Sequence, residues 1–392
     1  LPSPPRILPF LIVGYALASL LTLDMYLPAM PALEDVFGTT AGQVQLTMTV
    51  YLAGFAISQF VYGPLSDRFG RRPVMLLGGL GFVAATLLCA LSVVVEMLIL
   101  ARFAQGLMIG SLTVTTRATL RELYEEKRGT QLLAYISMAE GLSLALGPII
   151  GAEIFEAFGW RWIFYVVAIV AGAALIGLFL MLPESNRQKN RDATRLGPLF
   201  QTYGRLIVAR GFIGYVLPGG LAFAGLMAYY TTGSFLLKDA AGLTPREFSQ
   251  VQFGIVLVYL AGLLLSSRLI DRIGLRRLIN LGLAIILVGS LTMLGLAIAG
   301  VGGMWPIAAP FAAYGFGIGT AMAPLITKAM SVNPAATGTV AALFGMLTMS
   351  VSFVGSLIAQ LSYTGEAISL AIPVAALAVL AVISYIVVHP HE

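Results

Sequence analysis

Three ionisable residues, Asp24, Arg102 and Glu140, lie well inside apolar runs of the chain. A charge at bilayer depth costs at least about 2.5–3.5 kcal/mol, so each of them needs a partner, water or a neutral state. Asp24 follows the run Phe10 to Leu23 and precedes Pro28 and Pro31. Neither proline has an N–H, so the carbonyls of residues 24 and 27 lose their helical donors. A carboxylate beside a freed carbonyl can serve water, a cation or a proton relay, and such backbone is tolerated where it lines a cavity. The chemistry that fits is reversible protonation. The competing reading is a kink whose carboxylate is hydrogen-bonded between helices.

Arg102 lies at a similar depth, with Gln105 and Gly106 on or near its face. A guanidinium near Asp24 favours its charged form and desolvation favours its neutral form, so a small change in either would move a proton. The alternative is an arginine that snorkels to the outer interface. Glu140 is followed by Gly147 and Gly151 at i+7 and i+11, with Pro148 between them. Small residues let helices approach closely, so Glu140 faces either a helix seam or a cavity. There it would be a second protonation site or an attractor for cationic substrates.

The elements that carry these residues are membrane helices. The chain has 392 residues, 58% hydrophobic and 10% charged, with a mean hydropathy of +0.92. Soluble domains carry about a quarter charged residues. A spanning helix needs about 20 apolar residues. Twelve spans satisfy this, at 8–31, 43–64, 74–95, 97–120, 130–155, 161–182, 210–236, 248–269, 277–299, 305–328, 336–361 and 366–388. The first has no cleavage-site pattern and reads as a spanning helix rather than a signal peptide. Of the 23 Lys and Arg residues, nineteen fall on one side of these spans and three on the other, which predicts cytoplasmic termini. The polar stretch 183–209 divides the spans six and six. The expected organisation is therefore an N-terminal bundle, 1–182, a cytoplasmic linker, 183–209, and a C-terminal bundle, 210–392. The net charge of +5 marks topology and not nucleic-acid binding.

The two halves repeat. "GPLSDRFGRRP" (Gly63 to Pro73) follows span 2 and "SSRLIDRIGLRR" (Ser266 to Arg277) follows span 8. Asp67, Arg68 and Gly70 match Asp271, Arg272 and Gly274 at an offset of 204 residues. Six-helix halves repeated in one orientation are a transporter architecture. Over essentially its whole length the chain resembles the major facilitator superfamily. "GPLSDRFGRRP" resembles the superfamily's loop between helices 2 and 3. "RFAQG" (Arg102 to Gly106) resembles a helix 4 motif of proton-linked members. "GPIIGA" (Gly147 to Ala152) resembles the helix 5 motif of antiporters, with Ala152 in place of its final glycine. "LDMYLPAMP" resembles the first helix of Bcr/CflA-type drug exporters.

The resemblance implies an all-α membrane protein of two pseudo-symmetric six-helix bundles, a monomer in the bacterial inner membrane. It implies proton-coupled export of small amphipathic or cationic compounds by alternating access. Protons are then the coupling ion, with no other cofactor and no metal. Gly63, Asp67, Arg68, Gly70, Arg71 and, at the end of span 4, Glu122 would form a conformational latch, and Gly147, Pro148 and Gly151 the antiporter-type motif. Candidate substrate contacts on the cavity-lining spans are Tyr26, Gln45, Tyr51, Gln105, Tyr229, Tyr230, Phe235, Tyr259, Tyr314 and Met346. Aromatic rings and methionine offer large contact area with few directional demands. Any one of them is equally compatible with packing.

A dedicated exporter of a metabolite, sugar or siderophore is the alternative on the same fold. An enzyme is disfavoured, because the only histidines, His389 and His391, lie in the C-terminal tail and no metal-ligand cluster is present. No G-x-x-x-x-G-K-[ST] loop points to ATP, and no ring of charge or filter-like repeat points to a channel. Glycines of "GFGIG" (Gly315 to Gly319) lie within a span, with no preceding strand, and predict close helix packing.

Overall fold

The computed structural model describes residues 5, 7–186, 189–190, 193–194, 204, 210–332 and 337–388. Most of the expected linker, 183–209, and the tail with His389 and His391 lie outside the described residues. Among the described residues every regular element is helical. In chain order these are α1 (Leu8–Asp24), a 3-10 segment (Leu27–Ala32), the short α2 (Leu33–Phe37), α3 (Ala41–Phe69), α4 (Arg71–Ala90), α5 (Val95–Leu123), α6 (Glu126–Phe158) and α7 (Trp160–Met181). There follow α8 (Arg210–Ala241), α9 (Pro245–Ile298), α10 (Trp305–Ser331), α11 (Thr337–Ser362) and α12 (Ala367–Val388).

Among the described residues eleven helical stretches are long and apolar enough to cross a membrane. One of them, α9, has 54 residues and is broken at Gly274, whose φ of 79° and ψ of 162° are not helical. At 1.5 Å per residue it would be roughly 80 Å long if straight, more than twice the hydrocarbon thickness. Divided at Gly274 it supplies two spans, and the total is twelve. Gly70, at the matching place in the first half, has φ 109° and ψ 155°. The sequence repeat is therefore also a repeat of backbone conformation, in a region where residues other than glycine are strained.

The chain forms two compact units. The first comprises Leu1–Ala29, Asp35–Thr39 and Val50–Leu199, and the second Met30–Glu34, Thr40–Thr49 and Phe200–Glu392. Large apolar side chains such as Leu77, Leu180 and Val387 are exposed on the helices, as expected of surfaces that meet lipid.

Within the first unit, close backbone approach sets the helix positions. A Cβ at Gly106 on α5 would overlap the Tyr51 carbonyl of α3, and one at Gly54 would overlap that of Phe103. This reciprocal contact places Tyr51 beside Arg102. In the second unit Gly262 meets Phe316 and Gly319 meets Tyr259 in the same manner, so the glycines of "GFGIG" do serve close packing. The start of α9 is fixed by a capping box, in which Thr244 Oγ1 accepts from the Glu247 N–H and the Glu247 carboxylate accepts from the Thr244 N–H.

Candidate functional site

The first span, expected at 8–31 with its helical bonding interrupted by Pro28 and Pro31, does change conformation within its length. The α-helix stops at Asp24, and the Met25 N–H makes its last bond to the Leu21 carbonyl. The chain then tightens to a 3-10 segment with Ala29 N–H bonded to Tyr26. The reason is the one visible in the composition: Pro28 removes the donor that would extend the helix.

Asp24 is 3% exposed. Ser143 Oγ, on α6, donates to its Oδ2 at 2.7 Å, while Oδ1 has no hydrogen-bond partner among the described residues. A Cβ at Gly147 would overlap the Asp24 Cβ, and one at Gly151 would overlap the Met25 carbonyl oxygen. The helix 5 motif is thus the surface on which the end of α1 rests. Pro148 lies within α6 beside these contacts.

Arg102 is fully buried, so it does not snorkel. Its guanidinium carbon stands 4.3 Å from the centroid of Tyr51, 4.7 Å from Tyr26 and 5.9 Å from Phe164. Nη1 donates to Gln105 Oε1 at 2.6 Å, and Gln105 Nε2 donates to Thr86 Oγ1 at 2.7 Å. Nε and Nη2 have no hydrogen-bond partner among the described residues. Among the described residues no ion pair joins Arg102 to Asp24. The cation is balanced by aromatic faces, which attract it through their quadrupoles, and by an amide.

Glu140 is elsewhere. Its Oε1 lies 3.2 Å from Nη2 of Arg117 on α5, in a pair whose side chains are 35% and 61% exposed. The three ionisable residues therefore form a buried Asp24–Arg102 neighbourhood joined by Tyr26 and Tyr51, and a separate, solvated ion pair.

Near the α3–α4 turn, Arg71 Nη2 pairs with Asp67 at 2.6 Å and with Glu122 at 3.0 Å, and its Nε also donates to Glu122. Ser66 accepts from Arg71 Nη1. Arg68 stacks over Phe69 and bonds Thr194. The residues after α7 join this network, a feature the sequence reading missed. Glu184 accepts from the Arg71 N–H, Ser185 donates to Glu122, and Asn186 donates to the carbonyls of Ser66 and Asp67. Gly63 has open space around it.

The remaining candidates are dispersed. In the second unit Tyr229 stacks on Phe311 at 3.9 Å and Phe311 on Tyr314 at 5.4 Å. Tyr314 donates to the Ala222 carbonyl. Phe235 packs edge-on against Tyr363, and Tyr230 is buried. Gln45 is buried, and its amide has no hydrogen-bond partner among the described residues. Tyr259 and Met346 are half-buried. Ser143 was also missed, although Ser143, Gly147 and Gly151 are spaced i, i+4, i+8 and form one small-residue face.

Comparison with known proteins agrees with this architecture. Residues 12–356 match the model of the Major Facilitator Superfamily. A protein of Edwardsiella ictaluri named "Multidrug transporter MdfA" is 32% identical over 353 residues, which are 88% of this chain and 84% of that one. A "Bicyclomycin resistance protein homolog" of Haemophilus influenzae is 28% identical over 340 residues, 86% of this chain and 85% of that one. A solved bacterial homologue of the human lysosomal transporter Spinster superimposes with a TM-score of 0.76 at 14% identity, covering 98% and 96% of the two chains. A peptide transporter structure gives 0.76 at 15%, covering 99% and 96%. At these identities the two structures speak for the fold alone. With twelve spans in two halves and a family match over most of its length, this chain is a multi-pass membrane transporter that belongs to the major facilitator superfamily.

Proposed function

We propose that the protein exports small amphipathic compounds, cationic ones included, in exchange for protons, by alternating access of its two halves. Its relatives named as multidrug transporter and bicyclomycin resistance homologue support this substrate class. The observation that carries the coupling is the setting of Asp24: an enclosed carboxyl with one oxygen held by Ser143 and the other without a partner among the described residues. A buried charge without full hydrogen bonding is costly, so such a group is suited to taking up and releasing a proton as access to water changes. Arg102 is held on the rings of Tyr26 and Tyr51 and by Gln105, and among the described residues it makes no ion pair with Asp24. The proton arrives from outside, binds Asp24 and drives release of substrate. A 100 mV potential supplies about 2.3 kcal/mol for each charge moved. The setting is a bacterial inner membrane with both termini in the cytoplasm, in keeping with the Lys and Arg distribution.

Glu140 plays a different part on this reading, since it is solvated and engaged with Arg117. The test is proteoliposome transport of a cationic dye under an imposed pH gradient, with the parent compared to Asp24→Asn. The parent accumulates or expels dye as the gradient is set, and Asp24→Asn loses that response. An Asp24→Asn protein that still couples flux to the gradient overturns the assignment.

A further inference from the structure

The face of α6 that touches α1 carries one polar side chain between α1 and the glycines. Ser143 lies one turn before Gly147 and two before Gly151, and the two glycines bring the α6 backbone against Asp24 and Met25. Ser143 is itself buried, and its hydroxyl reaches Asp24 Oδ2 at 2.7 Å. Among the described residues it is the hydrogen-bond donor that the carboxyl has. The ionisable groups of this neighbourhood are Tyr51 on α3, which interacts with Asp24, with Arg102 on α5 and with Cys89 on α4, and Tyr26, two residues past Asp24 and under the Arg102 guanidinium. Arg102 donates to Gln105, and Glu140 on α6 is turned to Arg117. From α7 the site receives Phe164, while Arg161 donates to the Ser92 carbonyl.

We propose that Ser143 is a positioning residue for proton exchange: its hydroxyl holds the charged form of Asp24 and ties α6 to the end of α1, and protonation loosens that contact. The inference rests on the reading of Asp24 as the proton carrier. A hydrogen bond to an ionised acceptor is roughly twice as strong as one between neutral groups. The tie is therefore strong when Asp24 is charged and weak when it is neutral. Because the helix 5 motif has no side chains at Gly147 and Gly151 to interlock with α1, this hydroxyl is the polar contact able to report the charge across the α1–α6 contact.

The test is infrared titration of the carboxylic acid C=O band of the full-length protein in liposomes. The band is identified as the one missing in Asp24→Asn. In Ser143→Ala, loss of the donor removes support for the carboxylate, so the band appears on acidification at a pH about 1 unit higher than in the parent. Ser143→Thr keeps the hydroxyl and restores the parent midpoint. An unchanged midpoint in Ser143→Ala, or a Thr variant that titrates like Ala, overturns the proposal. Removing one oxygen atom leaves the fold intact, and gel filtration of each variant confirms it. Gradient-driven dye flux by the same preparations separates the two claims. Flux retained in Asp24→Asn sinks the carrier assignment, whereas a static band in Ser143→Ala sinks the Ser143 role with the carrier assignment still standing.

Discussion

The guanidinium carbon of Arg102 lies 4.3 Å from the centroid of the Tyr51 ring, in a site closed to solvent. A second ring, Tyr26, stands at 4.7 Å. A desolvated cation–π contact is worth about 2 kcal/mol, so these rings supply much of what an ion pair would otherwise have to supply. Tyr26 and Tyr51 are thereby engaged by Arg102, which gives both a structural part as well as any contact with substrate.

Arg102→Lys keeps the charge and loses both the planar stacking and the fork that reaches Gln105. Transport is expected to fall at least about tenfold, the equivalent of 1.4 kcal/mol, with a lower unfolding temperature in detergent. Gln105→Ala removes the acceptor of Arg102 and the donor to Thr86, and is expected to destabilise by about 1–3 kcal/mol. Thermal unfolding followed by tryptophan fluorescence measures both.

Gly147→Ala and Gly151→Ala place a methyl group where α1 already stands. Gly151→Ala is the more severe, because its obstacle is the backbone of Met25 and not a side chain. Both are expected to abolish resistance in a drug-challenge growth assay. Gly172→Ala meets nothing within 4 Å and is expected to be neutral or slightly stabilising, by at most about 1 kcal/mol, since alanine is the better helix former.

Arg71 holds Asp67 and Glu122 together through one guanidinium. Arg71→Lys cannot span both carboxylates in this geometry. The expected outcome is transport reduced about fivefold to tenfold, with the protein still inserted and monodisperse, as read by dye efflux and size-exclusion chromatography. Glu184→Ala exposes the N–H of Arg71 at the start of α4. It is expected to cost about 1 kcal/mol of stability, in the range of a lost helix cap.

The Glu140–Arg117 pair is open to solvent on both sides. A double-mutant cycle through Glu140→Gln and Arg117→Gln is expected to give a coupling energy below about 1 kcal/mol. Glu140→Gln is expected to retain the response of flux to the pH gradient, in contrast to Asp24→Asn. Loss of that response would make Glu140 a second proton site.

Much of this organisation was legible in the chain itself. The number of spans followed from hydropathy, because backbone groups in lipid must be satisfied within long helices. The break at Gly274 was foreshadowed by its match to Gly70, since the positive φ at both positions demands the same residue. The end of α1 at Asp24 followed from Pro28, a local covalent fact. Asp24, Arg102 and the helix 5 glycines stood out because charge and small residues are rare enough among apolar runs to be informative.

Which of those residues meet was decided by tertiary structure. Ser143 is an ordinary residue in a membrane helix until α1 is laid against α6, and then it becomes the donor to Asp24. Glu140, about one turn earlier on the same helix, meets Arg117 of α5 instead. The sequence predicts a similar depth for Arg102 and Asp24, yet the glycine contact between α3 and α5 puts Tyr51 under the guanidinium, and the carboxylate is bonded by Ser143. Hydrophobic periodicity specifies how much of a helix is buried. Partner choice within an apolar bundle depends on the rotation of each helix to a fraction of a turn, and that is set jointly by every small residue along its seams.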